Sequence, residues 1–143
     1  MNDIAAVLKG KGSEVATIGK DATLAKAAAQ LVARQIGALV VLEAGRLVGI
    51  ISERDIVHCF ARHGADVIGQ NVDSAMTSEV VTARPDTPIL AALAVMTSRR
   101  IRHLPVTTGD SLVGIVSIGD LVKHRMERIE AEAEALRGYI QSV

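Results

Sequence analysis

Two apolar, β-branched runs, Leu47 to Ile51 and Leu112 to Val116, lie 65 residues apart, and each gives way at a serine to a pattern of helical period. Runs of this kind read as buried strands, so each serine marks a strand-to-helix junction. Upstream, Ala38 to Leu42 and Leu104 to Val106 read as partner strands, turning at Ala44-Gly45 and Gly109-Asp110 into the first pair. Before these, apolar residues at 24, 28 and 31, and again at 89, 93 and 96, mark one buried helix face. Short extended pieces, Val15 to Ile18 and Val80 to Ala83, precede those helices, with turn chemistry at Gly19-Lys20-Asp21 and Arg84-Pro85-Asp86. Thr87 before Pro88 fits an N-cap followed by proline in the first helical position. Glu53 to Arg62 forms a closing helix, Gly64 to Asn71 a polar link, and Val72 to Met76 one helical turn leading into the second unit as Ile4 to Leu8 leads into the first.

The order strand, helix, strand, strand, helix therefore occurs twice. Ser13 to Val57 aligns with Ser78 to Val122 without a gap, and more than a third of the paired residues are identical. The expected organisation is a first repeat with its lead-in over residues 1–63, a link over 64–71, a second repeat over 72–126 and a helical extension over 127–143. The fold class is α/β of the α+β kind. About 50 residues bury too little apolar surface to stand alone, so the repeats should pack face to face, share a core and be related by a pseudo-twofold axis. Beyond the second repeat the last helix continues. Val122, Met126, Ile129, Ala133, Leu136, Ile140 and Val143 alternate steps of four and three, a heptad seam on a charged helix that suits a partner, most simply a second copy.

Composition narrows the function. Apolar residues make up 49% of the chain, yet Phe60 and Tyr139 are its only aromatics, which leaves almost no rings on which to stack bases. Sixteen basic residues balance sixteen acidic ones, so no net field draws a polyanion or a membrane surface. Neither nucleic acid nor membrane is an expected partner. Cys59, the one cysteine, falls on a predicted helix beside Ile56 and Phe60 and reads as a small core residue. The N-terminus has no basic segment followed by an apolar stretch, and no apolar run approaches membrane-spanning length, so a soluble cytoplasmic protein is expected. No nucleophile elbow, phosphate loop or zinc-protease motif is present, and no cysteine or carboxylate pair has catalytic spacing. The chain reads as no enzyme, with no catalytic cofactor and no metal site. Gly10-Lys11-Gly12-Ser13 has phosphate-loop flavour without the strand such a loop follows, and His58, His63 and His124 read as solvated helix residues.

The chemistry concentrates where the repeats agree best, at Gly49-Ile50-Ile51-Ser52-Glu53-Arg54-Asp55 and Gly114-Ile115-Val116-Ser117-Ile118-Gly119-Asp120. Ser-x-x-Asp at a helix start can be a capping box, in which serine and acid satisfy each other's backbone donors. It can equally be a nucleotide site, because a helix N-terminus favours phosphate and a carboxylate accepts ribose hydroxyls. The glycine preceding both copies is read as leaving backbone room for a ligand.

With these endings, the Arg99-Arg100-Ile101-Arg102-His103-Leu104-Pro105-Val106 stretch and the openings at Asp21 and Asp86, the chain resembles a tandem CBS-domain pair, named for cystathionine β-synthase. The resemblance implies two βαββα units, two clefts, a disc-like homodimer and a regulatory role toward an unidentified protein on another polypeptide. Its implied ligands are adenosine compounds, AMP first, with ADP, ATP, NAD or S-adenosylmethionine as the others. It assigns Ser52 and Asp55 to one cleft and Ser117 and Asp120 to the other. It puts Thr17, Ile18 and Thr82 near the base, and the backbone of Gly37, Ala38, Leu39 and Val40 and of Leu104, Pro105 and Val106 along the adenine. Arg54 is expected to serve the phosphate of one cleft, and Arg102 with His103 that of the other.

Overall fold

A computed structural model describes residues 2–142. Helix α1 (Ile4–Lys11) is followed by β1 (Thr17–Gly19), α2 (Leu24–Arg34), β2 (Ala38–Glu43), β3 (Arg46–Ser52) and α3 (Glu53–His63). After two 3₁₀ turns, Ala65–Gly69 and Val72–Ser74, come α4 (Ile89–Arg99), β4 (His103–Thr108), β5 (Ser111–Ser117) and the long α5 (Ile118–Ser142). No helix among the described residues is long and apolar enough to cross a membrane.

In the first repeat β2 lies between a parallel β1 and an antiparallel β3. In the second, β4 and β5 pair antiparallel, and the expected strand over 80–83 shrinks to a single bridge from Ala83 to Val106. Proline accounts for the difference. Val40 N donates to Ala16 O at 3.1 Å, but the position equivalent to Val40 is Pro105, which has no N–H to give. The ladder keeps only Ala83 N to Pro105 O and Thr107 N to Ala83 O, both 2.9 Å.

Both helices after the short strands bury one face, Leu24, Ala27 and Leu31 in α2 and Ile89, Ala92 and Met96 in α4. Small alanines at 27 and 92 hold the centre of each face, and residues 28 and 93 lie at its margin. Thr23 Oγ1 caps α2 by accepting from Lys26 N at 3.1 Å. Thr87 does not cap α4. Pro88 occupies the N-cap, and Thr87 Oγ1 accepts from Arg84 N at 2.9 Å instead. Each helix ends on a non-glycine residue in the left-handed conformation, Gln35 at φ 53° and Arg100 at φ 55°.

The repeats hold separate hydrophobic cores instead of the single shared one expected, and each lead-in crosses to the other repeat. Ile4 and Val7 of α1 are buried with Ile89, Met96, Leu104, Val116 and Leu121 of the second repeat. Val67 and Val72 of the intervening segment are buried with Leu24, Leu39, Val41 and Ile51 of the first. Backbone bonds show the same exchange. Ile89 N donates to Asn2 O at 2.8 Å and Leu24 N to Gln70 O at 2.9 Å, while Ile4 N donates to Thr87 O and Val72 N to Ala22 O. The link over 64–71 is therefore part of the first repeat's core and no mere polar tether. Half-buried Cys59 packs against that core.

The crossing explains the repeated glycine. A Cβ at Gly49 would stand 2.5 Å from Met76 Sδ and 3.0 Å from Thr77 O, and one at Gly114 would stand 2.8 Å from Leu8 Cδ2. The space over each glycine is filled by a lead-in segment and not held for a ligand, contrary to the sequence reading.

Candidate functional site

Two clefts open between the repeats, about 620 Å³ and about 590 Å³ in volume. The first, the Asp120 cleft, takes Ile115, Ser117 and Asp120 from the second repeat, Ala16, Arg34, Gln35, Ile36, Gly37 and Ala38 from the first, Lys11 from the end of α1 and Glu14 from the segment that follows it. The other, the Asp55 cleft, takes Ile50, Ser52, Arg54, Asp55 and His58 from the first repeat and Thr77, Glu79, Val81, Arg100, Ile101, Arg102 and His103 from the second. A shift of 65 residues converts much of one lining into the other. Each cleft thus faces the acid of one repeat with the apolar wall of its twin, as a pseudo-twofold exchange requires.

The Ser-x-x-Asp pairs do form capping boxes. Ser52 N donates to Asp55 Oδ2 at 2.9 Å and Asp55 N to Ser52 Oγ at 3.2 Å. Ser117 N donates to Asp120 Oδ2 at 2.8 Å and Asp120 N to Ser117 Oγ at 3.1 Å. In both, Oδ2 does the capping, and Oδ1 of each acid has no protein partner among the described residues. A cap that uses one carboxylate oxygen leaves the other free to accept from a ligand hydroxyl. The two readings of the motif are therefore compatible.

The clefts differ in their cations. Lys11 Nζ, at the end of α1, reaches across β5 to bond Asp120 Oδ2 and donates to Ile115 O at 2.7 Å. Burial alone would raise the Asp120 pKa, but bonds from Lys11 and Ser117 outweigh it and hold the carboxyl below its ordinary value. In the Asp55 cleft, Arg54 Nη1 donates to the carbonyl of the left-handed Arg100 at 3.3 Å. Arg54, Arg100 and Arg102 all line this one cleft, so the expectation that Arg54 and Arg102 serve different clefts is corrected. The reason is the exchange of halves, which sets the start of α3 opposite the start of β4. His103 borders both clefts and packs over Gly37, where a Cβ would lie 3.1 Å from its Cε1. Burial, and then the Lys11 charge, push the imidazole pKa below its usual value.

Of the residues singled out in the sequence, Gly37, Ala38, Ser52, Arg54, Asp55, Arg102, His103, Ser117 and Asp120 come together at the clefts. Thr17 and Thr82 are exposed and line neither. Alternation along the extended backbone presents their neighbours Ala16 and Val81 instead. Ile18 and Leu39 belong to the first core and Leu104 to the second; Val40 and Pro105 are buried outside both linings. Sequence reasoning missed Lys11, Arg34, Gln35, Glu79 and Arg100. Lys11 stood in a noted motif, but its cleft lies 109 positions along the chain.

The CBS domain model matches residues 12–62 and 71–127, nearly the whole of both repeats. The chain belongs to the CBS-domain family. Among curated CBS-domain proteins, it is 34% identical over 120 residues to YhcV of Bacillus subtilis, covering 83% of this chain and 84% of that protein. It is 36% identical over 126 residues to the mitochondrial protein CBSX3 of Arabidopsis thaliana, covering 85% of this chain but 61% of that one. The crystal structure of a CBS-domain containing protein from Agrobacterium tumefaciens superposes with a TM-score of 0.84 at 41% identity, over 86% of this chain and 98% of that one. The CBS domain pair of protein MJ0100, solved with 5′-methylthioadenosine and S-adenosyl-L-methionine, superposes with a TM-score of 0.78 at 25% identity, over 88% of this chain and 97% of that one.

Proposed function

We propose that this CBS pair is a regulatory module that binds an adenosine-containing ligand in the clefts between its repeats and, as a homodimer, passes the occupied state to a partner protein without catalysing a reaction. The observation that carries the reading is the placement of a half-free carboxylate, Asp55 or Asp120, at a helix start facing an apolar wall from the other repeat. Volumes near 600 Å³ fall within the range of about 300–1,000 Å³ typical of small-molecule sites. The carboxylate suits a ribose diol, the apolar wall suits a base, and the arginines suit phosphate. AMP is the first ligand to test, and the adenosine-type ligands of the MJ0100 pair support the compound class.

The ligand acts by binding one relative arrangement of the repeats more tightly than another. A thermal-shift panel of AMP, ADP, ATP, NAD and S-adenosylmethionine tests this. A compound at about a hundred times its dissociation constant adds roughly 2.7 kcal/mol and raises the melting temperature by several degrees. A flat response to all five favours a second reading, a ligand-free scaffold acting through α5, whose outer face is exposed at Met126, Leu136 and Ile140.

A further inference from the structure

Helix α5 runs 25 residues, and its two sides differ. Leu121 is fully buried, and His124, Arg125 and Arg128 are partly covered, where α5 packs on α1 and α4. On another face Val122 is 42%, Met126 64%, Ile129 50%, Leu136 60% and Ile140 63% exposed. We propose that this face is covered by α5 of a second copy, in a parallel, in-register two-stranded coiled coil. The inference rests on the self-association proposed above and specifies how the copies join.

The charges flanking the seam choose both occupant and direction. With Met126, Ala133 and Ile140 as a positions and Val122, Ile129 and Leu136 as d positions, the g positions carry Arg125, Glu132 and Tyr139 and the e positions Lys123, Glu130 and Arg137. In a parallel pair each g residue meets the e residue five places on in the other copy. Arg125 then meets Glu130 and Glu132 meets Arg137, each twice by symmetry. The antiparallel alignment that keeps the same core layers sets Lys123 against Arg137, Glu130 against Glu130 and Glu132 against Glu132, so that every pair of charges is repulsive, while Arg125 faces the uncharged Tyr139. Glu132 lies 3.8 Å from Arg128 in its own helix, a loose exposed pairing that leaves it available. Gly138 falls at the outermost f position, away from the seam. The apolar seam residues are not the ones that pack on the body, and only Arg125 lies at the border of the two, so pairing leaves the packing of α5 on α1 and α4 in place.

Sedimentation velocity of the full chain over a concentration series tests this, with thermal melts to show that each variant folds. The wild type should dimerise, and Ile129→Asp should make it monomeric. Arg137→Glu should raise the dimer dissociation constant about tenfold, and the charge-exchanged E132R/R137E variant should restore it to within about threefold. Leu136→Cys in a Cys59→Ala background should oxidise readily to a disulfide-linked dimer. A wild type that stays monomeric at all concentrations overturns the self-association itself. A dimer indifferent to Ile129→Asp and Arg137→Glu leaves self-association standing and overturns the coil. Tighter association on Arg137→Glu is the antiparallel result and overturns the direction.

Discussion

A methyl group at Gly49 has nowhere to go, because Met76 Sδ and the Thr77 carbonyl already fill the space. Gly49→Ala should cost about 1–3 kcal/mol and lower the melting temperature by several degrees. Gly114→Ala should cost less, since only the flexible end of Leu8 must move. A melt of Gly49→Ala indistinguishable from wild type would refute that packing. Local sequence could not show it, because the neighbours come from the far side of a linker. Residue chemistry was legible where it is local, as at the Ser-x-x-Asp caps, and lost where it is long-range, as at Lys11 and Asp120. His103 gives a pH prediction. Its folded pKa is depressed, so between that value and the unfolded value near 6.5 the unfolded chain binds more protons, and stability falls as the solution is acidified through this window. The depressed Asp120 acts in the same direction at lower pH, its contribution being lost as pH drops through its folded pKa. NMR titration of His103 should therefore give a midpoint below 6.5, and a midpoint above it would contradict the burial described here.

At the scale of elements, the strand and helix order was readable because it is written in periods of two and nearly four. The crossing of the lead-ins was not, since sequence proximity assigns Ile4 to Leu8 to the repeat that follows. Burial assigns them to the other. Ile4→Ala should cost about 2–5 kcal/mol, and hydrogen exchange should show lost protection in α4, β4 and β5 before α2, β2 and β3. Loss confined to the first repeat would contradict the exchange. Pro105 makes a second case: the sequence pattern called for a strand over 80–83, but the missing N–H on the neighbouring strand removes a bond that periodicity does not register.

At the scale of the molecule, the repeat places two similar clefts where halves of different repeats meet, and the cations that line them make them unequal. Lys11 joins Asp120 in one; three arginines gather in the other. The duplication was legible from the internal alignment, whereas the pairing of each acid with the opposite repeat's wall needed coordinates. The most direct test is calorimetric titration of AMP into wild type, Asp55→Asn and Asp120→Asn. Saturable binding to the wild type is expected, with each substitution weakening its own cleft roughly tenfold or more and leaving the other unchanged. No heat of binding for AMP, or binding that neither substitution alters, would contradict it.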